Sequence, residues 1–283
     1  MNAYRIVVDM ADCAGDYGAV GLLAPLGIDT DAQRFGAFTP PPGWGVTVLA
    51  EARSGQRAAL LTPPDDRAKA RVEHVFEAVP GGLPPQAFEP EGTPLAAAAE
   101  AMAEDARAIA ERAGGGLAGI AALVADTSAR FDYGSVAPED RWYYGQDAVP
   151  PVVCAIGNCI DINTYLMAAL RAAGYEAAYF TCYYFDDDPA GIPSGMHCWV
   201  RTRHDGVTQD WDIAHYKKAG RDDVAPALNP VPGKRFALAF GRDHHFRWGG
   251  IDIQVPTPSR PVWVLEDGRV HWGEGPIVQL LQD

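Results

Sequence analysis

Over the first part of the chain, apolar residues come in short runs between polar turns. Tyr4 to Val8, Ala19 to Leu23, Gly45 to Ala50, Arg57 to Thr62 and Arg71 to Val79 are such runs, rich in Val, Leu and Ala. Clusters such as Thr39-Pro40-Pro41-Pro42-Gly43 separate them. Short strands at that spacing predict an all-β sandwich over residues 1–90. Gln33, Arg34 and Trp44 read there as sheet or loop residues with no catalytic cluster around them. The Pro- and Gly-rich passage from Gly81 to Pro94 marks the boundary.

Beyond it the pattern turns helical. Leu95 to Ala113 is dense in strong helix formers and ends at Gly114-Gly115-Gly116. Leu117 to Arg130 repeats the pattern, with Ile120, Leu123 and Val124 as the buried stripe. Residues 135–156 read as a loop holding Arg141-Trp142-Tyr143-Tyr144-Gly145, aromatics that can pack or line a cleft. A third helix then has both ends written out. Gly157 breaks the preceding segment, Asn158 is a good N-cap, and Asp161 completes a capping box. Ile162, Leu166, Ala169, Leu170 and Ala173 recur at helical spacing, and Gly174 is a natural stop.

Strands follow from Glu176 to Phe185, from Met196 to Arg203 and from Val207 to Ile213. Asp205-Gly206 turns the last two into a hairpin. Arg235 to Phe240, Ile251 to Val255, Val262 to Glu266 and Arg269 to Trp272 read as further strands. The whole is an α+β chain: the sandwich, then a segment over residues 95–283 with an antiparallel sheet and C-terminal strands.

Composition narrows the function without naming it. At 283 residues and 48% apolar content the chain can bury a full core. A net charge of −14 argues against nucleic acid and anionic membranes as partners. The N-terminus has no signal-peptide pattern, and no apolar run is long enough to cross a bilayer, so a cytoplasmic location is expected. Five irregularly spaced cysteines, Cys13, Cys154, Cys159, Cys182 and Cys198, do not form a disulfide framework.

The candidate chemistry starts at Cys159. Unpaired backbone N–H groups and the dipole at a helix start favour a thiolate, and the same N–H groups can hold a developing oxyanion. A buried structural cysteine is the alternative reading. A thiol nucleophile needs a base, and the base needs a group to hold its ring. His197 opens one strand of the hairpin, and Asp212 ends the other fifteen residues on; Asp210 competes for the third role. A metal site from Cys154, Cys159, Cys182, His197 and Cys198 lacks a second pair at a usual spacing. Adjacent His244 and His245 read as two independent surface residues. The acidic run Asp186 to Asp188 reads as a solvated loop that can favour cationic substrates.

Four motifs carry a resemblance. They are Gly157-Asn158-Cys159-Ile160-Asp161, Leu170-Arg171-Ala172-Ala173-Gly174, His197-Cys198-Trp199-Val200 and Trp211-Asp212-Ile213. In this order, over about residues 95–220, they resemble the transglutaminase-like superfamily, a papain-like cysteine enzyme core. The N-terminal stretch is similar, more loosely, to the sandwich of bacterial members. The resemblance implies that Cys159 attacks an acyl carbonyl, that His197 serves as base and then acid, and that Asp212 orients His197. It implies an oxyanion met by the Cys159 backbone N–H and a second donor such as the Trp142 indole. Asn158 and Trp199, within the motifs, are further oxyanion or substrate-binding candidates. The implied function is cysteine-dependent acyl transfer on amide bonds of a peptide, a protein or a small amide. Hydrolysis is preferred over amine transfer; protein-glutamine acyltransferase activity and a non-catalytic binding module are the alternatives. No calcium-loop pattern is visible, so no metal or other cofactor is expected. Cys198 and Asn163 replace small residues usual in the family. Substrate identity and oligomeric state stay open.

Overall fold

A computed structural model describes residues 3–89, 92–186, 195–227 and 233–282. Six strands come first: β1 (Ala3–Cys13), β2 (Ala19–Pro25), β3 (Arg34–Thr39), β4 (Gly45–Ala50), β5 (Arg57–Thr62) and β6 (Lys69–Glu77). Helices α1 (Glu100–Arg112) and α2 (Gly116–Arg130) follow. Two short strands, β7 (Phe131–Tyr133) and β8 (Ala155–Gly157), lead into α3 (Cys159–Ala172). Next come β9 (Glu176–Asp186), β10 (Gly195–His204), β11 (Val207–Trp211), α4 (Ile213–Lys218) and β12 (Gly233–Phe240). The chain ends with β13 (His244–Trp248), β14 (Ile251–Val255), β15 (Val262–Leu265), β16 (Val270–His271) and β17 (Ile277–Gln282). The class is α+β.

Two antiparallel sheets, in the orders β17-β1-β6-β3 and β16-β15-β2-β5-β4, form the sandwich. Alternation drives it: Ile6 and Val8 of β1 point inward with Val72 and Phe76 of β6. Leu22, Leu61 and Trp263 meet them from the other sheet, and Trp44 joins the same core. The sequence pattern alone groups the C-terminal strands with the second segment. In the structure β17 pairs with β1, and β15 pairs with β2. Strand β3 carries few apolar residues facing inward, so its run had no signature; it pairs with the edge of β6.

The second antiparallel sheet system has the order β11-β10-β9-β12. Helix α3 packs on one face, where Ile162, Leu166 and Leu170 meet Ala177, Tyr179, Cys198 and Val200. Helices α1 and α2 cover its outer side, so α3 is buried from Asp161 to Leu170. Helix α1 starts at Glu100 and not at Leu95. The residues ahead of it instead pair with the chain at Val149, through Val149 N–H to Ala97 O at 2.8 Å and Ala99 N–H to Val149 O at 2.9 Å.

Sandwich and sheet share a core. Tyr183, Phe185, Phe236 and Leu238 belong to the apolar cluster of the sandwich. Gln33 is buried between them; its amide donates to Ile28 O (2.8 Å) and Ala237 O (3.0 Å) and accepts from Ala237 N–H (3.0 Å). Among the described residues, no helix is long and apolar enough to cross a membrane.

Candidate active site

The helix start is built as its sequence predicts. The Asn158 side chain accepts from Ile160 N–H at 2.9 Å, and Asp161 accepts from Asn158 N–H at 2.9 Å. A Cβ at Gly157 would lie 2.8 Å from the Asp161 Cβ, so the turn needs glycine. Asp161 is fully buried and has a second duty. Its other oxygen accepts from the Tyr143 hydroxyl at 2.9 Å and pairs with Arg141 at 3.5 Å. The aromatic loop is thereby tied to the first turn of α3, and Cys159 is the first residue of that turn.

Strand alternation places the other two groups. Cys198 and Val200 face α3, whereas Trp199 faces the opposite side of β10; His197, near the start of the strand, reaches the Cys159 thiol by a hydrogen bond. Asp212 lies one residue past β11, where it caps α4 by accepting from His215 N–H at 3.1 Å. Its second oxygen accepts from His197 Nε2 at 2.8 Å. Asp210 faces the same way but is occupied: Trp199 Nε1 donates to it at 3.0 Å and Arg201 grips it with two bonds of 2.7 Å. Of the two carboxylates the sequence leaves open, Asp212 is the one on His197.

The electrostatics favour an ion pair. The Cys159 thiol is held well below its ordinary value, first by hydrogen bonding from the Cys198 thiol and then by His197, which together outweigh burial. Burial alone would discharge His197; the Asp212 carboxylate and Cys159 reverse that and raise it to about 9. Asp212 is likewise pushed up by burial but drawn well below its usual value by His197 and His215. Cys159 and His197 therefore favour thiolate and imidazolium together. By contrast, burial drives Cys182 upward into the inert range.

The remaining sequence candidates divide. The Trp142 indole N–H is buried without a protein partner, in a cluster with Phe131, Tyr143 and Tyr165. It is an unspent donor packed on α3 through Tyr165. The Asn158 oxygen is committed to the cap. Trp199 is buried, stacked on Phe180 at 5.0 Å, and its N–H is given to Asp210, so it helps to hold the sheet. His244 is not a surface residue: it is buried 2.9 Å from Gln56 Nε2, because β13 turns it inward. Asp187 and Asp188 of the acidic run lie outside the described residues.

Two residues join the site that the sequence did not mark. His215 stacks flat on His197, with ring centroids 3.8 Å apart. Arg235 donates to Asp212 at 2.8 Å from β12. His215 could have been suspected from its place three residues after a helix-capping Asp; Arg235 has no local signal. The nitrogens of His197 and His215 and an Asp212 oxygen lie close enough together to ligate a metal ion. However, the Arg235 guanidinium sits on the same atoms and opposes a second positive charge.

Residues 103–211 match the model of the transglutaminase-like superfamily. This segment is similar to a transglutaminase-like core. A structure from Cytophaga hutchinsonii, described as a candidate cysteine protease, is similar over 100% of this chain and 98% of its own, with 13% identity and a TM-score of 0.54. At that identity the likeness is one of fold. The periplasmic domain of TgpA from Pseudomonas aeruginosa is similar over 77% of this chain and 89% of its own, with 15% identity and a TM-score of 0.35. No curated protein matches the sequence.

Proposed function

We propose that the transglutaminase-like core is a cysteine-dependent acyl-transfer enzyme that hydrolyses amide bonds in a peptide, a protein or a small amide. The observation that carries this reading is the His197–Asp212 bond of 2.8 Å beside a thiol drawn well below its ordinary value. In the proposed cycle the Cys159 thiolate attacks the carbonyl carbon and a tetrahedral oxyanion forms. The Cys159 backbone N–H at the start of α3 meets that oxygen, and the free Trp142 indole N–H is the second donor. His197 passes its proton to the leaving nitrogen, the C–N bond breaks, and a thioester stays on Cys159. His197 then takes a proton from water, which attacks the thioester and releases the acid. Asp212 keeps the His197 Nε2–H in place throughout. Free thiols at Cys13, Cys182 and Cys198 support a reducing compartment such as the cytoplasm.

Mass spectrometry after incubation with cell extract tests the proposal. The expected result is an acyl adduct on Cys159 that disappears on standing in water. No adduct on Cys159 under any extract, with adducts elsewhere, would sink the reading. Incorporation of a labelled primary amine in place of water would move the assignment to glutamine acyltransfer.

A further inference from the structure

His197 is anchored through one ring nitrogen to one carboxylate oxygen, an arrangement that leaves the plane of the ring free to turn about that bond. A flat neighbour prevents this. The His215 ring lies parallel to it, with an interplanar angle of 5° and centroids 3.8 Å apart. His215 Nδ1 is 3.0 Å from the same Asp212 oxygen that accepts from His197. Arg235 Nη2 bridges that oxygen (2.8 Å) and His215 Nδ1 (3.0 Å). Tyr184 of β9 packs on both rings, at 5.8 Å from His197 and 4.8 Å from His215. His215 is 1% exposed and its backbone N–H is bonded to Asp212, so the helix cap itself sets the ring's position.

We propose that His215 is a positioning residue of this site: its neutral ring lies flat against the protonated His197 ring, fixing the plane of that ring toward Cys159 and holding the proton there. The proposal rests on the acyl-transfer reading above. A neutral aromatic face against an imidazolium is favourable, whereas a second cation at that distance is not. The charged and titratable groups that face His215 are Asp212 at the start of α4, His197 on β10, Arg235 on β12 and Tyr184 on β9. Burial, with His197 and Arg235, lowers the His215 pKa against the pull of Asp212 and keeps the ring neutral near neutral pH.

The test uses the full-length protein and two variants, His215→Ala and His215→Phe. The readout is the rate of Cys159 alkylation by iodoacetamide across pH, resolved by peptide mapping because Cys154 is exposed and will also react. With His215→Ala, the alkaline limb of the thiolate–imidazolium pair moves down by about 1 pH unit, the size of one lost cation–π contact. With His215→Phe, which keeps the face and loses the nitrogens, the limb returns most of the way. Folded variants that both retain the unaltered profile would overturn the proposal, since a packing role alone would not shift it. If His215→Ala does not fold, His215→Phe decides, and a limb displaced downward by the whole of that shift of about 1 pH unit counts against the stack. Labelling of Cys159 no faster than Cys182 in the unaltered protein sinks the acyl-transfer reading itself; fast labelling that His215→Ala leaves untouched sinks this proposal alone.

Discussion

At the scale of single residues, the site turns on which groups lend hydrogen bonds to sulfur and imidazole. Cys198 is the leading contributor to the lowered Cys159 thiol, so Cys198→Ala is expected to raise its pKa. Cys198→Ser keeps a donor and should recover much of the shift; absorbance of the thiolate against pH reads both. Asp212→Asn removes the charge that holds His197 protonated and is expected to cut turnover by about a thousandfold or more, judged by the loss seen when a triad carboxylate is replaced. The pH dependence follows from the same pair. The His197 value is raised, so the proton is fully in place below the ordinary histidine range and is lost as pH rises through about 9. The rate constant at low substrate is therefore expected to fall above about 9, and a profile still climbing there would contradict the ion pair. Cys159, His197 and Asp212 were legible because each sits at a marked place in a local motif. His215 and Arg235 were not, since their meaning comes only from stacking and from a strand 23 residues past Asp212.

At the scale of elements, α3 and the hairpin each have ends fixed by short-range chemistry. Gly174 has a φ of 86°, and Asp205 and Gly206 have φ values of 48° and 77°, the left-handed positions that a helix stop and a tight hairpin require. Such turns are readable because the residue that satisfies them is at the turn. The cap of α3 was readable for the same reason, but the second use of Asp161 was not, since Tyr143 lies in a loop without periodicity. Two substitutions separate the roles. Asn158→Ala removes one cap bond and is expected to cost about 1 kcal/mol in a urea melt. Asp161→Ala also takes away the buried carboxylate that accepts from the Tyr143 hydroxyl and pairs with Arg141, and is expected to cost about 3 kcal/mol. Equal losses from the two would mean that the loop is not held through Asp161.

At the scale of the whole molecule, the frame is closed by residues far apart in sequence. Val8 pairs with Val278, and Leu22 pairs with Trp263. An alternating run shows that a strand exists but not which partner it finds, so the β-sandwich was legible and its membership was not. Removing residues 276–283 would bare one edge of β1 and the buried face at Val278, with lowered melting temperature and aggregation as the expected outcome. This closure also sets an order of events during synthesis. A ribosome delivers β1 and β2 first and their partners β17 and β15 last. The thiol and both histidines leave the exit tunnel before the outer strands that finish the frame. Until then the nascent protein carries two open strand edges, a form for which a holding chaperone would be the natural companion.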